Sequence, residues 1–305
     1  MSNDTTPWPR LSLAEWADTC DTLHMWTQIV GKVRLALAPY ANHWWHVPLY
    51  VNARGLTTSA MPWAQGHVEI AFDFVDHQLR LDTSDGRRRT IDLTPQSVAV
   101  FYRRVMAALA DLGISVRIWP MPVEVPSPIR FDQDDVHASY DAASVQRWWQ
   151  ALARADAVFN EFRGRFIGKA SPVHFFWGSF DLAVTRFSGR RAPEREGADP
   201  VTREAYSHEV ISAGFWPGAP GVVDAAFYAY AAPEPEGFKA ARVGPAAAFY
   251  SRDFNEYLLS YEAVRASASP RDALLEFLQT TYEAGASLAG WNRAELEAPA
   301  LSHPR

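Results

Sequence analysis

Phe166-Ile167-Gly168-Lys169, then Pro172, then His174-Phe175-Phe176-Trp177 is the stretch on which the fold turns, because the chain carries a near copy of it. The copy reads Ile29-Val30-Gly31-Lys32, Pro39 and His43-Trp44-Trp45. In both, a helix-like run ends on Gly-Lys and a His then opens an aromatic strand. Each strand closes on a basic turn with a glycine, Val51-Asn52-Ala53-Arg54-Gly55 or Val184-Thr185-Arg186-Phe187-Ser188-Gly189. A second His-led strand follows, His67 to Phe72 in one half and His208 to Ala213 in the other. Two like modules commonly pack about a pseudo-twofold axis, and their seam is a natural place for a pocket. The expected fold is α+β: two pseudo-repeats of helix–four antiparallel strands–helix, packed together.

Outward from these runs, residues 12–37 read as a helix, with Ser12 and Glu15 spaced as a capping box. Strands are expected near 44–52, 67–75, 78–84 and 87–93. Val68, Ile70, Phe72 and Phe74 alternate with polar or small neighbours, and Asp85-Gly86 marks a hairpin turn. Val98, Phe101, Tyr102, Val105, Leu109 and Leu112 form one stripe of a helix over 96–112, stopped by Gly113. A short strand at 114–119 leads into a proline-rich connector, 121–140. The second half, 141–297, opens with a helix over 142–166. Strands near 173–187, 206–215, 225–232 and 246–261 and a helix over 271–288 follow. Residues 189–204 read as an exposed loop and 298–305 as a frayed tail, so the first half spans 1–120.

The 305 residues are 48% hydrophobic and 21% charged, with 12 Trp, 11 Tyr and 17 Phe, enough for a large aromatic core. A net charge of −6 argues against nucleic acid as a partner. One cysteine, Cys20, excludes an internal disulfide. Residues 1–7 lack the pattern of a signal peptide, and Leu35–Ala53 is interrupted by Pro, His and Asn, so no membrane partner is expected and a cytoplasmic location is.

Several side chains are candidates for chemistry. On the first helix Leu13, Ala17, Cys20, His24, Gly31 and Leu35 share a side, with Asp21, Thr27, Gln28 and Lys32 flanking His24. A polar patch inside a buried stripe reads as a pocket wall, or else as one His satisfied by Asp21. The strand 173–187 is apolar on both faces, so His174 and Asp181 need partners there, or serve as acid–base groups in an apolar pocket. His208 shares a strand face with Tyr206, Val210 and Ser212, where a His is usually just satisfied. His43 and His46 have a ligand-like spacing, yet on a strand they point apart, so a metal there is only an alternative. Lys32, Lys169, Arg186, Arg190 and Arg191 fall near equivalent element ends and suit anions, while Arg87-Arg88-Arg89 reads as surface charge. Phosphate loops, dinucleotide fingerprints, nucleophile elbows and metalloprotease helices are missing from the sequence. Cys20, mid-helix, has no context that would activate it.

The runs Trp26-Thr27-Gln28-Ile29-Val30-Gly31-Lys32-Val33-Arg34-Leu35, Asn42 to Leu49, Ser171 to Asp181 and Ser207-His208-Glu209 resemble a bacterial family, the domain of unknown function DUF5996, over about Trp8 to Trp291. The resemblance implies no reaction, cofactor or catalytic residue.

These readings converge on a small-molecule-binding protein or enzyme with an aromatic, His-lined pocket between two similar halves. The expected acid–base groups are His24, His174, Asp181 and His208. Trp26, Trp44 and Trp177 would form walls, and Gln28, Lys32 and Arg186 would hold an acidic ligand. The rival is an interaction or scaffold protein whose His and Trp side chains are structural. Cofactor and oligomeric state stay open.

Overall fold

The computed structural model describes residues 7–219 and 223–299. Its first long helix, α1 (Ala17–Leu37), starts after a short 3-10 turn, Leu13–Glu15, so Ser12 makes no side-chain cap and the expected capping box does not form. Asp18 in its first turn and Arg34 in its last complement the helix dipole. Buried residues line nearly its whole circumference, because both halves pack on it. Trp26 stacks on Phe101 at 4.5 Å and on Tyr140 at 5.5 Å.

The first sheet holds β1 (Tyr50–Asn52), β2 (Gly55–Thr57), β3 (Met61–Trp63), β4 (Gly66–Asp73), β5 (Gln78–Thr83) and β6 (Arg88–Asp92). They pair antiparallel in the order β1-β2-β4-β5-β6, with β3 also on β4. Val68, Ile70, Phe72 and Phe74 are all buried, as their alternation requires. Helix α2 (Val98–Asp111) covers that face, capped by the Ser97 hydroxyl accepting from the Val100 N–H. Residues 44–52 are not one strand. Asn42–Trp44 forms a 3-10 turn with His43 and Trp44 at φ of 58° and 61°, which breaks extended pairing before β1. Residues 114–119 do turn Ile114, Val116 and Ile118 inward but find no neighbouring strand, so no ladder forms.

The second half begins with α3 (Ala142–Gly164), capped by Asp141. The second sheet holds β7 (His174–Phe176), β8 (Asp181–Arg191), β9 (His208–Ala219), β10 (Val223–Ala232), β11 (Phe249–Ser251) and β12 (Glu256–Ser260), in the order β11-β12-β10-β9-β8-β7. Six strands per sheet, rather than four, arise in two ways: in the second sheet the expected runs 173–187 and 246–261 each split into a hairpin, and in the first β2 and β3 form within 53–66, where no strand is expected. The expected strand 173–187 is itself a hairpin, turning through Trp177-Gly178-Ser179-Phe180 with Phe180 at φ 58°. Within 189–204, β8 continues to Arg191 and Asp199 caps a short helix, α4 (Pro200–Ala205), with Pro200 at its start. Helices α5 (Tyr261–Arg265) and α6 (Pro270–Leu288) pack with α3 on one face of this sheet, and α7 (Arg293–Leu296) follows. Ala298 donates to the Arg165 carbonyl, and the rest of the expected tail, from 300, lies outside the described residues, as do residues 1–6.

The sheets meet edge to edge. Leu49 and Phe175 exchange two backbone hydrogen bonds of 2.9 Å, so β1 lies beside β7. Trp148 of α3 stacks on Phe180 at 5.0 Å, and one contiguous apolar core runs through both halves. No helix among the described residues is long and apolar enough to cross a membrane.

Candidate functional site

The face of the second sheet away from α3 and α6 floors a cavity of about 950 Å³. The floor is built by alternation: Asp181, Ala183, Thr185 and Phe187 from β8, Val210 and Ser212 from β9, and Tyr228 and Tyr230 from β10. Cys20, Asp21, His24 and Met25 of α1 form one wall. The connector 122–129 forms another, and His43 and Trp45 a third, so both halves contribute.

Asp181 is the centre of the floor. It is 6% exposed and accepts hydrogen bonds from the Ser179 and Tyr228 hydroxyls. Burial holds its carboxyl above the usual range in spite of both bonds. Two more carboxyls respond to it. Burial first, and the Asp181 charge second, raise Glu256 to about 7 and also push Glu124 up. Burial drives Tyr228 and Tyr230 well above the ordinary phenol range, so both keep their protons. Tyr230 shares a 2.8 Å hydrogen bond with the Tyr206 hydroxyl. Gly214 permits this arrangement, since a Cβ there would overlap the Tyr228 ring that lies across it. The left-handed Phe180 stores backbone strain immediately before Asp181, where it fixes the direction of the carboxylate.

His24 supports the hairpin from above. The Gly178 carbonyl can only accept, so the His24 Nε2 carries the proton and donates to it at 2.8 Å. Its ring lies 4.9 Å from Phe180, and burial lowers its titration to about 4, so the imidazole is neutral. Gln28 clamps the connector by donating to the Val123 carbonyl (2.8 Å) and accepting from its N–H (2.9 Å). Asp21 is not the partner of His24. Burial raises the Cys20 thiol, which keeps it an inert part of the wall.

Of the other sequence candidates, only His43 also lines the cavity. Its Nδ1 donates to the Glu204 carbonyl (3.1 Å), and its Nε2 accepts from the Lys169 ammonium (2.6 Å). His46 Nδ1 accepts from the Ala41 N–H, so the two imidazoles are committed apart, and no group of three metal-binding side chains forms among the described residues. His208 stands 5.6 Å from His43, behind the cavity wall. His174 is 1% exposed among Trp45, Tyr50 and Phe176, and burial takes it to about 3. Trp26 is core, and Trp44 stacks on His46 at 5.4 Å. Trp177 donates to the Val47 carbonyl, and Lys32 lies over its ring. Arg186 points through the opposite face of the sheet, its guanidinium among Phe162, Tyr282 and Phe166 with a bond to the Phe162 carbonyl. Arg190 pairs with Glu209, and Arg87, Arg88 and Arg89 pair with Asp85, Asp82 and Asp111 on the surface.

Sequence reading missed Tyr228, Tyr230, Glu256 and Glu124. Tyr228-x-Tyr230 on a strand, opposite the lone Gly214 within another strand run, was the available signal, because small residues inside strands mark close approach.

No curated protein and no solved structure matches the chain significantly. One family profile does, over residues 8–298, nearly the whole length: the chain belongs to DUF5996, a family of unknown function.

Proposed function

We propose that the cavity binds a small organic cation, an amine or guanidine attached to a flat apolar group. The observation that carries this reading is Asp181, a carboxylate on the cavity floor whose hydrogen-bond partners are hydroxyls, in a cavity lined by no Lys or Arg among the described residues. Buried carboxylates without a cation are costly, and a guest cation relieves that cost. Phe176, Phe180, Phe187, Trp45 and Trp216 add ring surface, which attracts cations over its faces. The acidic ligand expected from Lys32 and Arg186 gives way to a basic one, because neither side chain lines the cavity. A scaffold role accounts for Trp26, His174 and Arg186 as structural side chains but leaves the cavity without a use.

The test is calorimetric titration with phenethylammonium, against phenethyl alcohol and 3-phenylpropionate. The cation is expected to bind at least tenfold more tightly than either and to release protons near pH 7 as Glu256 ionises. Equal or tighter binding of the neutral or anionic probe rejects the reading. A second reading, proton transfer on the bound molecule, is favoured by Glu256, whose titration at about 7 suits a general acid or base. Glu256→Gln distinguishes them, since it keeps binding and removes that chemistry. We also place the protein in the cytoplasm, on its single buried cysteine, and keep the internal duplication as the origin of the two halves.

A further inference from the structure

Lys32 stands outside the cavity and does not depend on the reading above. It follows His24 and Gln28 at four-residue steps along one face of α1. The side chain is 5% exposed, and Nζ has no hydrogen-bond or carboxylate partner among the described residues. Its neighbours are two indole faces, Trp119 at 4.8 Å and Trp177 at 5.7 Å from the ring centres. Trp177 is held there by its bond to the Val47 carbonyl and by Gly31, where a Cβ would overlap the indole. Trp119, 64% exposed, is the outer wall.

An anion is a poor guest for this site. Anion sites gather several donors, and the faces of aromatic rings are negative. A carbonyl carbon is a good one. Desolvation disfavours the ammonium and leaves the amine as a nucleophile, and burial brings Lys32 down to about 8. The protonated product would also remain a cation over the same two rings.

We propose that Lys32 is a covalent capture site for flat, conjugated aldehydes. The unprotonated Nζ adds to the carbonyl carbon, forming the C–N bond. Water then leaves with the carbonyl oxygen and the two amine hydrogens, and the resulting C=N bond takes one proton from solvent to become an iminium.

The chain offers an internal control in Lys239, which is exposed, whereas Lys169 donates to His43 Nε2 and lies over the Trp45 and Phe187 rings. The full-length protein is treated with salicylaldehyde and sodium cyanoborohydride at pH 7.5, and the reduced adducts are mapped by mass spectrometry of peptides. Lys32 is expected to label about tenfold faster than Lys239, a margin below the difference in neutral amine fraction because access is narrow. Its rate should reach half its maximum near pH 8. Trp119→Ala, an exposed change that spares the fold, should rehydrate the amine and move that midpoint upward. Lys32→Arg, checked for folding by thermal melting, should lose the fast adduct. An unlabelled Lys32, or one labelled no faster than Lys239, overturns the proposal.

Discussion

Strand β8 buries one charge on each of its faces, five residues apart, and treats them differently. Arg186, fully buried, lies 3.5 Å from the Phe162 ring centre and 4.2 Å from that of Tyr282, and its guanidinium donates to a backbone carbonyl. Its neighbours are the rings of Phe162, Phe166 and Tyr282. Asp181 has two hydroxyl donors and a cavity above it. Neither has an oppositely charged partner in contact among the described residues. On the arginine face the planar cation lies against rings, with Nε and Nη1 left without acceptors among the described residues. The carboxylate face is open because a carboxylate has no such substitute and waits for a cation or a proton.

The comparison is broken most completely through Gly214. Gly214→Val would drive its side chain into the Tyr228 ring and the Leu182 backbone, costing about 4 kcal/mol in denaturant unfolding and ligand binding with it. Arg186→Ala should cost about 3 kcal/mol by leaving a void among the rings, while Arg186→Met restores most of that, because no ion pair is lost. Comparable destabilisation by both would mean that the charge itself is needed. Asp181→Asn keeps the shape and removes the charge, so phenethylammonium affinity should fall about a hundredfold, roughly 2.7 kcal/mol, with melting temperature unchanged or higher. An unaffected affinity would make the two faces equivalent.

His174 carries the contrast into pH. Its titration lies at about 3 in the fold, against an ordinary imidazole value of about 6.5. The folded state therefore binds fewer protons than the unfolded chain between those values. Its stabilisation is complete above pH 6.5 and is lost as pH falls toward 3, amounting to about 2 kcal/mol at pH 5. His174→Phe should flatten that acid limb in denaturant titrations run from pH 7 to 5. The smallest effect belongs to the surface: Arg89→Ala, which breaks an exposed pair with Asp111, should change stability by less than about 0.5 kcal/mol.

Much of this architecture is legible in the chain. Long periodic runs such as Val98 to Leu112 and Val68 to Phe74 place helices and strands within a residue or two. Backbone exceptions are not legible: Phe180, His43 and Trp44 take left-handed conformations that their residue types do not announce, and those conformations turn expected strands into turns. In the candidate site His24 and Asp181 are found by one rule, that a polar residue inside an apolar pattern needs a reason. The same rule selects His174 and Arg186, which are enclosed instead, because pattern reports burial and not whether the burial is against protein or space. Glu124 and Glu256 escape it altogether, since their significance comes from nearness to Asp181 across the fold.

The junction between Leu49 and Phe175 has a consequence for how the molecule behaves in a crowded solution. Two separate sheets would present four unpaired rims, each able to recruit a stray strand. Joining β1 to β7 hides two of them inside the molecule. Of the edges left, β6 carries Arg88, Arg89 and Asp92, whose charges repel an incoming chain, while β3, which pairs only with β4 and contains Pro62, and β11 are each three residues long, too short to template one. The pair of hydrogen bonds that unites the halves is thereby also a guard against self-association into fibres.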